Sequence, residues 1–191
     1  DRNGDVSEFQ HGGPQSKEFV AGYIFHYRNL FKMIGGFLAF RFGAISGMTT
    51  AMTQNSAKSV LSSLPLTGAF RFFALDVETA NRHRSSICQI GIAGVRPDNS
   101  IETWSTYVDP ITDDWSCTRI HGITARTVVG APVFPQIIPM IDAMLAGFTV
   151  YQHSHFDKGA VNSACGLAGI TPPEWNWMDS LVVARRTWPE L

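Results

Sequence analysis

Residues 70–77 form a predominantly apolar run that closes on Asp76-Val77-Glu78, and no other stretch of the chain restricts its fold as strongly. Its aromatic and aliphatic content suits a strand buried at the centre of a sheet. Side chains alternate along a strand, so Asp76 and Glu78 face one way while Val77 faces the other. Two carboxylates thus converge at the strand's end. Held close without a counter-charge they repel, one is driven toward protonation, and a divalent cation, Mg²⁺ being the natural occupant, removes that penalty. Carboxylates at a strand end also occur as plain surface groups, so the triplet alone leaves both readings open.

Beyond Glu78 the chain alternates strand and helix signals. Residues 87–95 and 101–108 read as two further strands, separated by the turn residues Pro97, Asp98 and Asn99, which predicts a three-stranded meander. Residues 124–129 suggest a short helical turn. Residues 134–145 place Ile137, Ile138, Ile141 and Leu145 on one helical face, and Gly147 ends that helix. A fourth strand over 148–152, a helix over 157–167, a fifth strand over 175–178 and a helix capped by Asp179 and running to about Arg186 complete the expectation. The result is a mixed α/β domain.

The boundary of that domain falls between residues 62 and 68, giving an N-terminal segment, 1–66, and a second unit, 67–191. Within the first segment, residues 20–52 are rich in aromatics, including Tyr23, Phe25, Phe31 and Phe40, with Arg28, Lys32 and Arg41 among them. Helices or a hairpin packing those rings on each other or on the second unit is one reading; a lipid-surface element and an arm for a protein partner are the others. Its longest uninterrupted apolar run, 33–40, is far short of the roughly 20 residues a bilayer crossing needs, so no membrane span is expected. The first 70 residues carry six Lys/Arg against four Asp/Glu, and the remainder nine against twelve. That acidic balance does not exclude a nucleic-acid partner, because bound cations invert the field of a carboxylate cluster. Cys88, Cys117 and Cys165 show no metal-ligand spacing and fit a reducing, cytoplasmic setting, and no signal peptide is visible.

Two more stretches carry chemistry. Residues 149–157 run from a strand through a polar turn to Asp157 at a helix start, delivering a third carboxylate from a different part of the chain. His153 and His155 flank it, although oxygen-rich Mg²⁺ sites rarely use imidazole. Between the two acidic stretches lies Arg119-Ile120-His121-Gly122-Ile123-Thr124, which by itself is a loop with Thr124 as a capping residue.

Taken in order, Asp76-Val77-Glu78-Thr79, Ile120-His121-Gly122-Ile123-Thr124, His155-Phe156-Asp157 and the segment from Asp179 to Arg186 resemble the DEDDh-type 3'-to-5' exonucleases. That family includes the proofreading epsilon subunit of bacterial DNA polymerase III and ribonuclease T. The resemblance covers about residues 69–191. It implies a ribonuclease H-like fold, two divalent ions (Mg²⁺ or Mn²⁺) and stepwise release of nucleotides from 3' ends of single-stranded DNA or RNA. Carried over by position, Asp76, Glu78 and Asp157 are the metal ligands and catalytic residues. Thr79 and Ala80 lie along the terminal nucleotide, His121 and Ile123 border its base and sugar, and His153 and Phe156 line the same pocket.

Two departures qualify the match. Gln152-His153 stands where many relatives have a His-Asn pair. The family's last motif, a His followed five residues later by an Asp, lies downstream of the segment resembling 179–186, and the sequence given stops at Leu191. A C-terminally truncated domain, inactive by itself, is the expectation. The alternative is a catalytically incomplete exonuclease-fold protein that binds nucleic acid or another protein.

Overall fold

A computed structural model describes residues 64–187. The aromatic-rich stretch and its proposed roles lie outside the described residues. Five strands, β1 (Phe72–Thr79), β2 (Ile87–Val95), β3 (Ile101–Tyr107), β4 (Thr149–Gln152) and β5 (Asn176–Asp179), make one sheet in the order β3-β2-β1-β4-β5. The first three form the antiparallel meander, and β4 and β5 add in parallel on the other side of β1. Among the described residues four helices accompany them: α1 (Thr118–His121), α2 (Phe134–Leu145), α3 (Phe156–Ala168) and α4 (Ser180–Thr187). This mixed sheet with flanking helices is the ribonuclease H-like architecture that the motif order implies.

β1 is central because both of its faces are usable. Phe73, Leu75 and Val77 share one face with Ile90 and Ile92, their neighbours across the β1–β2 register, and with Val150. That face packs against Ile138, Ile141 and Leu145 of α2 and Ala160, Val161 and Ala164 of α3. Each fully buried side chain such as Leu75 or Ile92 contributes about 1.5–3 kcal/mol. Leu64 and Leu66 also lie on this core, so the folded unit takes them in. On the opposite face Asp76 stands across from Gly91, which has no side chain, and Glu78 from Gln89.

Two details differ from the sequence expectation. Residues 124–129 form a turn rather than helix: Thr124 and Thr127 hydrogen-bond reciprocally, their side chains capping each other's backbone N–H. The one-turn helix α1 precedes them and ends on Gly122, whose φ of +80° is a left-handed conformation that glycine adopts without a Cβ clash. α2 tolerates Pro139 because the residue is exposed, so water can satisfy the Pro135 carbonyl that loses its helical donor.

Candidate metal centre

β1 and β4 are paired only at Phe73–Val150 and Ala74–Tyr151, and beyond that point the strands part. The Val77 N–H, facing the gap, would be an unsatisfied buried donor without a partner. Asp157, in the first turn of α3, supplies one: its Oδ1 accepts the Val77 N–H at 3.0 Å. The amide that lies between Asp76 and Glu78 in sequence thus fixes the third carboxylate beside them. Gln152 positions the same helix, since its Oε1 accepts the Lys158 N–H at 2.9 Å; the residue that departs from the family pattern is a buried helix cap.

Burial, with Asp157 and Glu78 adding repulsion, pushes the Asp76 carboxyl from 3.8 up to about 8. Asp157 is pushed up to about 7, mainly by burial, against the opposing pull of its hydrogen bond from Val77. Glu78 is raised by burial, with His121 working the other way. Among the described residues no Lys or Arg forms an ion pair with any of the three. Their side chains are not already drawn around one point closely enough to enclose an ion. The donor chemistry nevertheless fits a hard divalent cation: all-oxygen, partly buried, mutually repelling and uncompensated.

His121 is a brace. Its Nδ1 accepts the Ile123 N–H at 3.0 Å and its Nε2 stands 3.1 Å from the Thr79 carbonyl oxygen. An N–H can only donate and a carbonyl only accept, so the ring carries its proton on Nε2 and both nitrogens are committed. Together with the Cys117 N–H bonded to the Ala80 carbonyl, this clips α1 to the end of β1. Replacing His121 by alanine removes two bonds worth about 0.5–1.5 kcal/mol each, so a loss of roughly 1–3 kcal/mol in urea unfolding is expected. A variant as stable as the parent would show that the clip is not what holds α1.

The remaining sequence-predicted positions divide. Ala80 and Ile123 are buried in a small cluster with Cys88 and Val128, so their side chains face protein, and Thr79 is buried as well. Phe156 is 38% exposed beside Asp157. His153 and His155 are exposed, with His153 Nδ1 3.3 Å from Ser180 Oγ and His155 Nε2 3.7 Å from Asp179 Oδ2. That turn contains Ser154 at φ +71°, an uncommon conformation for a residue with a side chain, held by its N–H bonding Asp179 Oδ1.

Sequence reasoning passed over the β1–β2 loop. Asn81 is 3% exposed; its Oδ1 accepts from the His83 N–H and the Ser86 hydroxyl, and its Nδ2 donates to the Asp114 carbonyl. The loop it stiffens carries Arg82, His83 and Arg84, all exposed. Three basic residues directly behind a carboxylate pair were the legible signal.

Comparison with known proteins bears on what such a site belongs to. Residues 73–190, more than half of the chain, match the family model RNase_T, described as Exonuclease. The chain belongs to the exonuclease family. Within it, the PolC-type DNA polymerase III of Caldanaerobacter subterraneus subsp. tengcongensis is 24% identical over 151 residues, which are 77% of this chain and 11% of that protein. The corresponding polymerase of Clostridium perfringens is 22% identical over the same share of this chain and 10% of its own. This exonuclease chain therefore spans about a tenth of the length of those relatives. Among solved structures, E. coli Exonuclease I in complex with a 5cy-dT13 oligonucleotide superposes with a TM-score of 0.53 at 16% identity, covering 63% of this chain and 30% of that one. The zinc-bound form of an E. coli Exonuclease I–single-stranded DNA complex gives 0.52 at 17% identity, covering 61% and 29%. At these identities the likeness is one of fold.

Proposed function

We propose that the domain is a metal-dependent 3'-to-5' exonuclease acting on single-stranded DNA or RNA, with Asp76, Glu78 and Asp157 as the ligands of its divalent ions. The observation that carries this reading is the cluster of three uncompensated carboxylates at the end of β1, in a chain of the exonuclease family. Two ions, Mg²⁺ or Mn²⁺, would supply activation of the attacking water and stabilisation of the leaving 3' oxygen. Asp76 and Glu78 present their oxygens from one face of β1, and Asp157 presents Oδ2 while its Oδ1 stays on the Val77 amide. Phe156 offers an exposed ring on which a terminal base can stack, worth about 1–3 kcal/mol per base and available only to unpaired nucleotides. Thr79, Ala80, His121, Ile123 and His153, carried over from the family motifs by position, complete the set proposed to line the terminal nucleotide.

One observation favours a second reading, that of a binding protein on the same fold. His121, the histidine hydrogen-bonded at the end of β1, has both ring nitrogens committed, so it does not stand ready to take a proton from water. A positioned base contributes on the order of 10²- to 10⁴-fold in rate. The discriminating experiment incubates the protein with matched DNA and RNA oligonucleotides labelled at the 5' end, with Mg²⁺ or Mn²⁺. A ladder shortening from the 3' end supports the exonuclease; retention of label on the protein without shortening supports the binding protein; neither result refutes both.

A further inference from the structure

We propose that Arg84 is a phosphate-binding residue, its guanidinium holding a backbone phosphate of the nucleic-acid strand beside the one being hydrolysed. The inference rests on the nuclease reading above and adds to it a residue outside the four motifs. Arg84 is not simply a solvated side chain on a loop. Its guanidinium carbon lies 5.5 Å from the centroid of the Phe156 ring, and a Cβ on Gly159 would overlap its Nη1. The glycine, which weakens a helix interior relative to alanine, thus leaves a slot on α3 that the arginine fills. Phe156 and Gly159, three residues apart, share one face of α3 in the turn that also carries Asp157, so the positive charge is delivered to the helix that supplies the third carboxylate.

It is also delivered without being neutralised. Among the described residues Arg84 forms no ion pair, although three carboxylates lie at the end of the same strand. The loop carrying it is held from below: the Ala80 N–H bonds the Ser86 carbonyl at 2.8 Å, and the buried Asn81 Oδ1 accepts the His83 N–H and the Ser86 hydroxyl. With Nη1 seated at Gly159, the exposed guanidinium of Arg84 keeps its remaining N–H groups for phosphate oxygens. A polyanionic strand approaching an acidic cluster needs such a charge at the entrance, because phosphates and carboxylates otherwise repel. The adjacent Arg82 is exposed too but touches neither Phe156 nor the Gly159 slot, so it serves as the internal comparison.

The test measures binding of a short 5'-labelled single-stranded oligonucleotide across a salt series, and KM and kcat for its degradation, in the whole protein with Arg84→Gln, Arg84→Lys or Arg82→Gln. Arg84→Gln is expected to weaken binding about three- to tenfold, to raise KM more than it lowers kcat, and to reduce the slope of log K on log salt by about 0.7, the value for one phosphate contact on a single strand. Arg84→Lys should restore the slope, since the charge returns, but only part of the affinity, since the fork does not. A merely structural role for Arg84 would leave the salt slope untouched. If Arg84→Gln binds with the parent's slope and KM while the parent binds and cleaves, the assignment of Arg84 fails and the nuclease reading stands. An equal loss in Arg82→Gln would mean diffuse loop charge and would also overturn it. A parent protein that neither binds nor cleaves removes both readings together.

Discussion

Asparagine in place of Asp76 is expected to abolish hydrolysis while making the metal-free protein more stable. The substitution keeps the shape of the side chain and removes its charge. Loss of one anionic oxygen from a centre that must hold divalent cations should lower the rate of 3'-end degradation at saturating Mg²⁺ by roughly a thousandfold or more, about 4 kcal/mol in the barrier. Stability moves the other way. The Asp76 carboxyl is pushed up to about 8 by burial and by Asp157 and Glu78, so ionising it at neutral pH works against folding. The replacing amide has nothing to ionise and stands across from Gly91 in the strand pair, where there is room. Thermal melting at pH 8 in the presence of a chelator should show the variant above the parent, by on the order of 1–3 kcal/mol. Retention of more than a few per cent of parental activity would show that Asp76 is not a metal ligand.

Asp157 is predicted to behave differently, and the difference comes from one hydrogen bond. Its Oδ1 satisfies the Val77 N–H where β1 and β4 part. An asparagine retains an acceptor oxygen for that amide, whereas an alanine leaves a buried donor unpaired, at about 1–3 kcal/mol. Removal of a buried and repelled charge is thus the whole stability effect only at Asp76. From sequence the three acids are equivalent ligands, and that equivalence ends once the strand geometry is known.

The same contrast marks what was legible in the chain. β2 and α2 coincide with residues 87–95 and 134–145 as read, because each is long enough for its apolar pattern to repeat and is bounded by turn residues. α1 was not legible: four residues make a single turn, over which no helical periodicity can be seen, and it is held by bonds to Thr79 and Ala80 some forty positions earlier. The carboxylates were legible as a pair, since strand alternation alone puts Asp76 and Glu78 on one face. The direction of Ala80 and Ile123 was not, because a place beside a ligand in sequence says nothing about which side of the strand end is packed. Asn81 escaped notice for a related reason: its partners include Thr112 and Asp114, and an asparagine after a strand reads as an ordinary turn residue until those are in place.

Stability without metal should fall as pH rises from about 4 to about 8, and a divalent cation should restore it most at the upper end. Asp76 and Asp157 have an ordinary value of 3.8 and are pushed up to about 8 and about 7 in the folded chain. Below pH 4 they are largely protonated in folded and unfolded chains alike, and pH has no purchase on them. Between the two values the folded chain retains protons that the unfolded chain has released, so each step upward favours unfolding. Above pH 8 the penalty is complete. One unit between folded and unfolded values is worth about 1.4 kcal/mol, and because the two acids share one field the total is on the order of a few kcal/mol rather than the sum of independent terms. A divalent cation binds the ionised carboxylates and competes with those protons; at a hundredfold excess over its dissociation constant it contributes about 2.7 kcal/mol. Melting curves with and without Mn²⁺ should therefore nearly coincide at pH 5 and separate by roughly 5–10 °C at pH 8, given the 2–4 °C per kcal/mol typical of chains near this length. Asp76→Asn should flatten the pH dependence and shrink the separation at once, since both originate in the same carboxylates. A separation independent of pH, or one unchanged in Asp76→Asn, would place the ion elsewhere on the chain and detach the acid cluster from the proposed chemistry.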